Sequence, residues 1–294
     1  MQIVSLSTMW GVGRFETFRE FAEAARKMGF AYTELNHQFP AAWTSELGSV
    51  DGITVSSVHD PCPFATLPDG KPAGDLSLCS LDESERQEAI RFAKGSINFA
   101  QRVGGQATVL HMGDVGSYYE HERYLRRLYA EGKADSQEFI GGKEWLMKER
   151  VARQEAHLEV YAGERSIKLG LENRCYYYEL PGIDEMGVLL KESDPQVVGY
   201  WHDTGHADIL ERLGYVPHQE WLKRYRDRLI GSHINDVHVI TDHRAPGAGE
   251  VAWDMVASGF PQDGFRILEI DRSQDFDTMV RGIALLREKG VISA

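Results

Sequence analysis

Cysteine is scarce in this chain: Cys62, Cys79 and Cys175 are the only three, and no pair has CxxC spacing. That argues against a disulfide framework and against a thiolate metal site, and leaves Cys175 as a free thiol in or near the core. Basic charge is also short. Lys and Arg number 32 against 45 Asp and Glu, a net charge of −13. Such a surface does not attract a phosphate backbone, so nucleic acid is not the expected partner. No apolar run reaches the ~18 residues of a membrane span, so no membrane attachment is expected. The opening MQIVSLSTMW lacks a basic head and a small-residue cleavage site, reads as a first strand, and points to a cytoplasmic protein. A GxGxxG turn is missing too. The GVG at 11–13 is a plain loop, and with no Gly-rich phosphate loop in sight a non-phosphorylated ligand is favoured.

What is present is regular alternation. Strand signals fall at 3–8, 32–36, 53–60, 107–113, 168–173, 197–203, 229–236 and 266–271. Helical spacing falls between them, at 15–29, 41–47, from Ser80 to about 103, 183–192, 218–226, 253–258 and 276–290. Ser80 is the expected cap of the long helix, with Glu83 closing a capping box. Segment 114–166 is too long for one connection and reads as a helical insertion after the fourth strand, ending in a long helix at 143–165. Pro- and Gly-rich loops occupy 61–77 and 243–253. Eight strands alternating with helices, and no linker, predict an α/β fold: one (β/α)8 barrel domain over residues 1–294.

The chemistry lies in the phase of four residues. Glu172, Asp203, His233 and Glu269 each stand at or just past the end of an apolar run, 31, 30 and 36 residues apart. That interval is about one βα unit, so all four belong to one rim of the barrel. Three carboxylates and one imidazole make a donor set for one divalent ion: Mn, Co, Mg or Zn. The bland alternative is a set of polar strand caps, which would not share a phase.

Other residues share the rim. His59 ends the third strand, His111 the fourth, His206 follows Asp203 by three, and His243 sits in the loop after the seventh. These are expected to line a substrate pocket. His202 should face the helix layer, because neighbours on a strand point opposite ways. His37, His121, His157 and His218 read as solvated helix or loop residues. Asn173 and Asp236 are either partners that orient the carboxylates and imidazole or strand-end turn formers. Trp10 and Phe64 are either an apolar wall for a substrate or packing.

The motifs LEN (171–173), HDTGHA (202–207), HIND (233–236), PGAGEVAW (246–253) and LEI (268–270) resemble the xylose-isomerase-like TIM-barrel superfamily over essentially the whole chain. The group includes sugar isomerases and epimerases, inosose dehydratases and endonuclease-four-type apurinic endonucleases. The resemblance to the epimerases implies metal ligation by Glu172, Asp203, His233 and Glu269, and substrate contact by His206. It also implies a proton moved by Glu172 and Glu269 next to a ketose carbonyl, through an enediolate. Asn173 joins the expected substrate contacts. The implied partner is a small sugar or polyol, and the implied assembly a homo-oligomer.

One departure stands out. Val239 occupies the place of the epimerases' substrate-contacting arginine, six residues after the ligand histidine; Arg244, in the neighbouring loop, is the candidate substitute. A dehydratase of a cyclic polyol would use the same donors and bases. The endonucleases' three-zinc set is matched by His59, His111, Glu172, Asp203, His206, His233, His243 and Glu269. Its remaining aspartate is shifted by one, to Asp242. The acidic charge and the lack of a basic run near the rim oppose that third reading.

Overall fold

The computed structural model describes residues 1–116, 118–157 and 167–293. Eight parallel strands close into a barrel: β1 (Gln2–Ser7), β2 (Tyr32–Leu35), β3 (Thr54–His59), β4 (Ala107–Leu110), β5 (Lys168–Glu172), β6 (Val198–Asp203), β7 (Leu229–Ile234) and β8 (Gly264–Leu268). Each strand pairs with its sequence neighbours, and β1 closes on β8, with Leu6 beside Leu268. This is the (β/α)8 barrel expected from the alternation.

Helices fill the outer layer: α1 (Phe18–Lys27), α2 (Glu83–Val103), α3 (Tyr119–Ala130), α4 (Gln137–His157), α5 (Ile183–Glu192), α6 (Thr204–Arg212), α7 (His218–Tyr225), α8 (Trp253–Gly259) and α9 (Phe276–Glu288). Only a 3-10 turn, Ala41–Glu46, lies between β2 and β3. The expected insertion is the helix pair α3–α4; α4 begins earlier than anticipated, and residues 158–165 of its expected span lie outside the described residues. Among the described residues no helix is long and apolar enough to cross a membrane.

The cap of α2 differs from expectation. Asp82, not Ser80, accepts from the Ser84 and Glu85 amides, while the Ser80 hydroxyl donates to Glu85 Oε2 at 2.7 Å. A carboxylate at the helix start gains both from the unpaired N–H groups and from the helix dipole.

The barrel interior below the rim is packed, not hollow. Ala107, Val109, Trp201, Phe265 and Ile267 form a separate apolar cluster, with Trp201 and Phe265 stacked at 5.7 Å. Room for the indole comes from two glycines: a Cβ on Gly170 would lie 2.6 Å, and on Gly231 2.1 Å, from the Trp201 ring. This plug fixes the floor on which the site rests.

Two register shifts adjust the strands: one between Thr33 and Glu34 on β2, the other between Tyr200 and Trp201 on β6. Such bulges re-aim side chains. Near the rim, the two-residue ribbon Gly113–Asp114 pairs antiparallel with Glu179–Leu180, tying the segment before α3 to the loop after β5.

Candidate active site

Glu172 and Asp203 are the last residues of β5 and β6, His233 is next to last on β7, and Glu269 directly follows β8. Parallel strands in one barrel carry such residues to one rim. Their donor atoms all lie within 4.8 Å of one another, and all four side chains are buried. His233 is the centre. Its Nδ1 is 2.5 Å from Glu172 Oε1, 3.2 Å from Glu269 Oε2 and 3.9 Å from Asp203 Oδ2.

The other imidazole nitrogen reveals a residue missed in the sequence. His233 Nε2 is 2.9 Å from Glu34 Oε1, and Glu34 is itself held by a hydrogen bond from the Ser57 hydroxyl to Oε2 at 2.7 Å. Glu34 is fully buried. A carboxylate in that position favours a proton on Nε2, and Nδ1 is the nitrogen that faces the other carboxylates.

The electrostatics of the set suit a divalent cation. Burial opposes charge on His233, but Glu269, Glu34 and Glu172 outweigh it and raise its pKa well above the usual imidazole value. Burial likewise opposes ionisation of Glu172 and Glu269, yet His233 and the neighbouring histidines hold both well below the ordinary carboxylate range. Burial, with Glu172 nearby, raises Asp203. Glu269 Oε1 is buried and accepts no hydrogen bond; its neighbour is His59 Nδ1, at 3.5 Å. An oxygen-rich donor set with one orphaned carboxylate oxygen suits a hard or borderline divalent ion.

Backbone and side chains around the set hold it rigid. Asp203 caps α6, taking the His206 amide at 2.8 Å, and Asn235 Nδ2 donates to both of its oxygens. Asn173 straps β5 to β6: its Nδ2 donates to the Asp203 carbonyl, its Oδ1 accepts from the Asp203 amide, and its own carbonyl meets His206 Nδ1 at 2.9 Å. Asp236 turns out to be a loop organiser. It accepts from the amides of Val237, Gly247 and Val251 and from the Trp253 indole.

Above the set opens a cavity of about 660 Å³. His59, His111, His206 and His243, all expected at the rim, line it with Glu269; Glu172, Asp203 and His233 lie beneath its floor. Phe64 lines it too, as do Asp60 and His37. His37 is thus no solvated loop residue: its ring meets His59 edge-on at 5.3 Å, and burial with His59 nearby lowers its pKa to about 4.

Three expected substrate contacts lie outside the lining. Trp10 is 1% exposed, and its indole donates to the Gln274 carbonyl, so it is packing; Met9 faces the cavity in its place. Asn173 is fully buried in the strap just described. Arg244 sits in a small ribbon opposite Asp236, outside the lining.

His202 faces the helix layer as expected, bonded to Tyr200 and, at 2.9 Å, to His218 Nε2. His218 was expected in solvent and is fully buried, because α7 packs it under His202.

The arginine of this site is Arg174. It lines the cavity, and its guanidinium reaches His111 Nε2 at 2.5 Å, Glu172 Oε2 at 3.2 Å and Glu179 Oε1 at 2.8 Å. The set His59, His111 and Glu172 is close enough to hold a metal, but this guanidinium already supplies a positive charge there. Burial and Arg174 lower His111 well below the usual imidazole value. A further set, Asp203, His206 and His243, borders the first on the other side. Cys175 is buried, as expected of a free thiol, and its sulfur donates to Asp242 Oδ2 at 3.4 Å.

A family described as xylose isomerase-like TIM barrel matches residues 22–289. No curated protein sequence matches. Solved structures align over nearly the full length. A D-tagatose 3-epimerase-like protein is 17% identical, over 97% of this chain and 96% of its own, with TM-score 0.61. The apo 3-keto-D-glucoside 4-epimerase from E. coli is 15% identical, over 98% and 100%, with TM-score 0.61. The IolI protein, whose structure has a bound zinc atom, is 12% identical, over 99% of both chains, also with TM-score 0.61.

Proposed function

The chain belongs to the xylose isomerase-like TIM-barrel family, and from that premise we propose a divalent-metal-dependent sugar isomerase or epimerase acting on a ketose or related polyol. The observation that carries the reading is the convergence of Glu172, Asp203, His233 and Glu269 donor atoms within 4.8 Å, under a cavity that Glu269 lines. Those four residues would hold one ion: Mn, Co, Mg or Zn. When bound, such an ion polarises a substrate carbonyl and makes the neighbouring carbon acidic.

The remaining steps belong to side chains. Glu269, the one carboxylate of the set that lines the cavity, takes the carbon-bound proton. Glu172 returns a proton that it first takes from solvent through His111, whose Nε2 lies 2.7 Å from its Oε2 and which opens to the cavity. Return to the opposite face of the same carbon gives epimerisation, and return to the next carbon gives isomerisation. Arg174 takes the part assigned in the sequence to Arg244, donating to a substrate oxygen. His206 and His243 bind hydroxyls from the other wall.

A dehydratase of a cyclic polyol would start from the same proton abstraction and differ only in the loss of a hydroxyl. A three-ion hydrolytic centre draws support from the two flanking donor sets. It is disfavoured because Arg174 already places a guanidinium 2.5 Å from His111 Nε2 and like charges that close repel.

The test is proton exchange from solvent deuterium into a ketose panel, with metal analysis of the same preparation. About one ion per chain is expected, with exchange lost on chelation and in Glu269→Gln. A protein that takes up no divalent ion, or one that exchanges no proton with ion bound, would sink the proposal.

A further inference from the structure

A second cavity, of about 590 Å³, shares a wall with the first. Gly74, Asp75, His111 and Arg174 line both. Either volume alone falls within the ~300–1,000 Å³ of ordinary ligand sites. The proton-transfer chemistry needs only the first, since Glu269, His206 and His243 line that one and not the other.

The second cavity is built by the parts of the chain that lie outside the minimal barrel. Asp75 comes from the 3-10 turn Ala73–Asp75 in the loop after β3. Tyr119 opens α3 in the insertion. Tyr178 and Glu179 follow β5, at the ribbon that pairs with Gly113–Asp114. Tyr119 and Tyr178 both face Tyr176, at 5.6 Å and 5.5 Å between ring centroids, so the aromatic side of the cavity is held in place.

Its chemistry selects the occupant. Asp75, Asp114 and Glu179 supply carboxylates, and Tyr119 and Tyr178 supply ring faces and hydroxyls. Among the described lining residues Arg174 is the one permanent cation, and it is bound to Glu172 and Glu179. An anionic group such as phosphate would meet surplus negative charge. A neutral polyhydroxyl ring fits: carboxylates accept its hydroxyls, and an aromatic face covers its C–H side.

Resting on the reading under Proposed function, we infer that the substrate has two parts: a keto-sugar unit above the four-residue centre and a neutral glycosyl unit, linked to it, in the second cavity. Arg174 and His111 stand at the junction. Binding energy from the distal ring then serves the reaction at the proximal one, so that a truncated substrate loses turnover as well as affinity.

The experiment compares solvent-deuterium exchange into free ketohexoses (D-fructose, D-tagatose, D-psicose) with exchange into glucosyl-ketoses (maltulose, isomaltulose, turanose), on the metal-loaded full chain. The glucosyl compounds should give kcat/KM at least about ten-fold higher. Tyr119 is 43% exposed, so Tyr119→Ala leaves the fold intact. It should lower kcat/KM for the glucosyl compounds about 3- to 10-fold, the worth of one aromatic contact, and leave the free ketoses unchanged. Tyr119→Leu, which loses the ring but keeps apolar bulk, should act the same way. Equal kcat/KM for the two classes, or variants that lower both classes alike, would overturn the two-part substrate and leave the sugar chemistry standing. Exchange into neither class would overturn both.

Discussion

Replacing Glu34 by glutamine tests the role of a side chain that touches no substrate. The wild-type carboxylate faces His233 Nε2 at 2.9 Å and takes the Ser57 hydroxyl at 2.7 Å, with all three side chains buried. Glutamine keeps the shape and can still accept from His233, so the fold should survive. The charge is lost, however, and with it the strong preference for a proton on Nε2. The tautomer with the proton on Nδ1 becomes accessible, and there the nitrogen facing Glu172, Asp203 and Glu269 is blocked. Losing such a partner typically costs 10–100-fold in metal affinity, about 1.4–2.7 kcal/mol. Competition titration with a fluorescent chelator should therefore give a Mn²⁺ Kd raised by that factor in Glu34→Gln, at an unchanged melting temperature. A Kd within about two-fold of wild type, with the variant folded, would refute the claim that Glu34 sets the imidazole.

Other consequences follow from the same geometry. Arg174→Lys should lower kcat/KM on a ketose by about ten-fold or more, because a lysine cannot reach His111, Glu172 and Glu179 together with a planar fork; unchanged steady-state kinetics would remove Arg174 from the site. Gly231→Ala drives a methyl to within 2.1 Å of the Trp201 ring and should cost about 1–3 kcal/mol in denaturant unfolding; a variant as stable as wild type would show that the plug can shift. Burial pushes the Glu122 carboxyl up to about 7, although the Arg126 guanidinium and the Tyr177 amide pull it down. The folded chain therefore binds this proton more tightly than the unfolded chain does. The associated stability is complete below about 4.5, the ordinary value, and is lost as pH rises through about 7. Glu122→Gln should flatten that decline, read as unfolding free energy against pH; parallel curves for the two proteins would reject the assignment.

The barrel was legible in the sequence because alternation and strand count are properties of the whole chain, insensitive to the boundaries of any one element. Boundaries moved where two local bonds competed. Ser80 and Asp82 both precede α2; Asp82 directly adjoins the first turn and takes its amides, while Ser80 accepts from the Asp82 amide and donates to Glu85. Glu172, Asp203, His233 and Glu269 shared a phase that sequence can show. Glu34 stands in YTEL, one residue from the end of β2, and the same rim logic applies to it. The register shift beside it puts the extra residue, Ser56, on β3 and leaves β2 regular against β1, so the phase of Glu34 was there to be read. Arg174 follows Glu172 by two, and nothing in the sequence says that its side chain folds back over the strand end. His218 follows Pro217, an ordinary sign of an exposed helix start; only packing reveals its place under His202.

The carboxylate of Asp236 gathers three amides and an indole from 237–253. That side of the entrance is in effect riveted, and its shape leaves little freedom for drift between related enzymes. New specificities should be sought on the opposite shore, in 61–77 and the helix pair, where changes can be tried without disturbing the four-residue centre. A library confined to those positions would be the economical starting point for redirecting this scaffold.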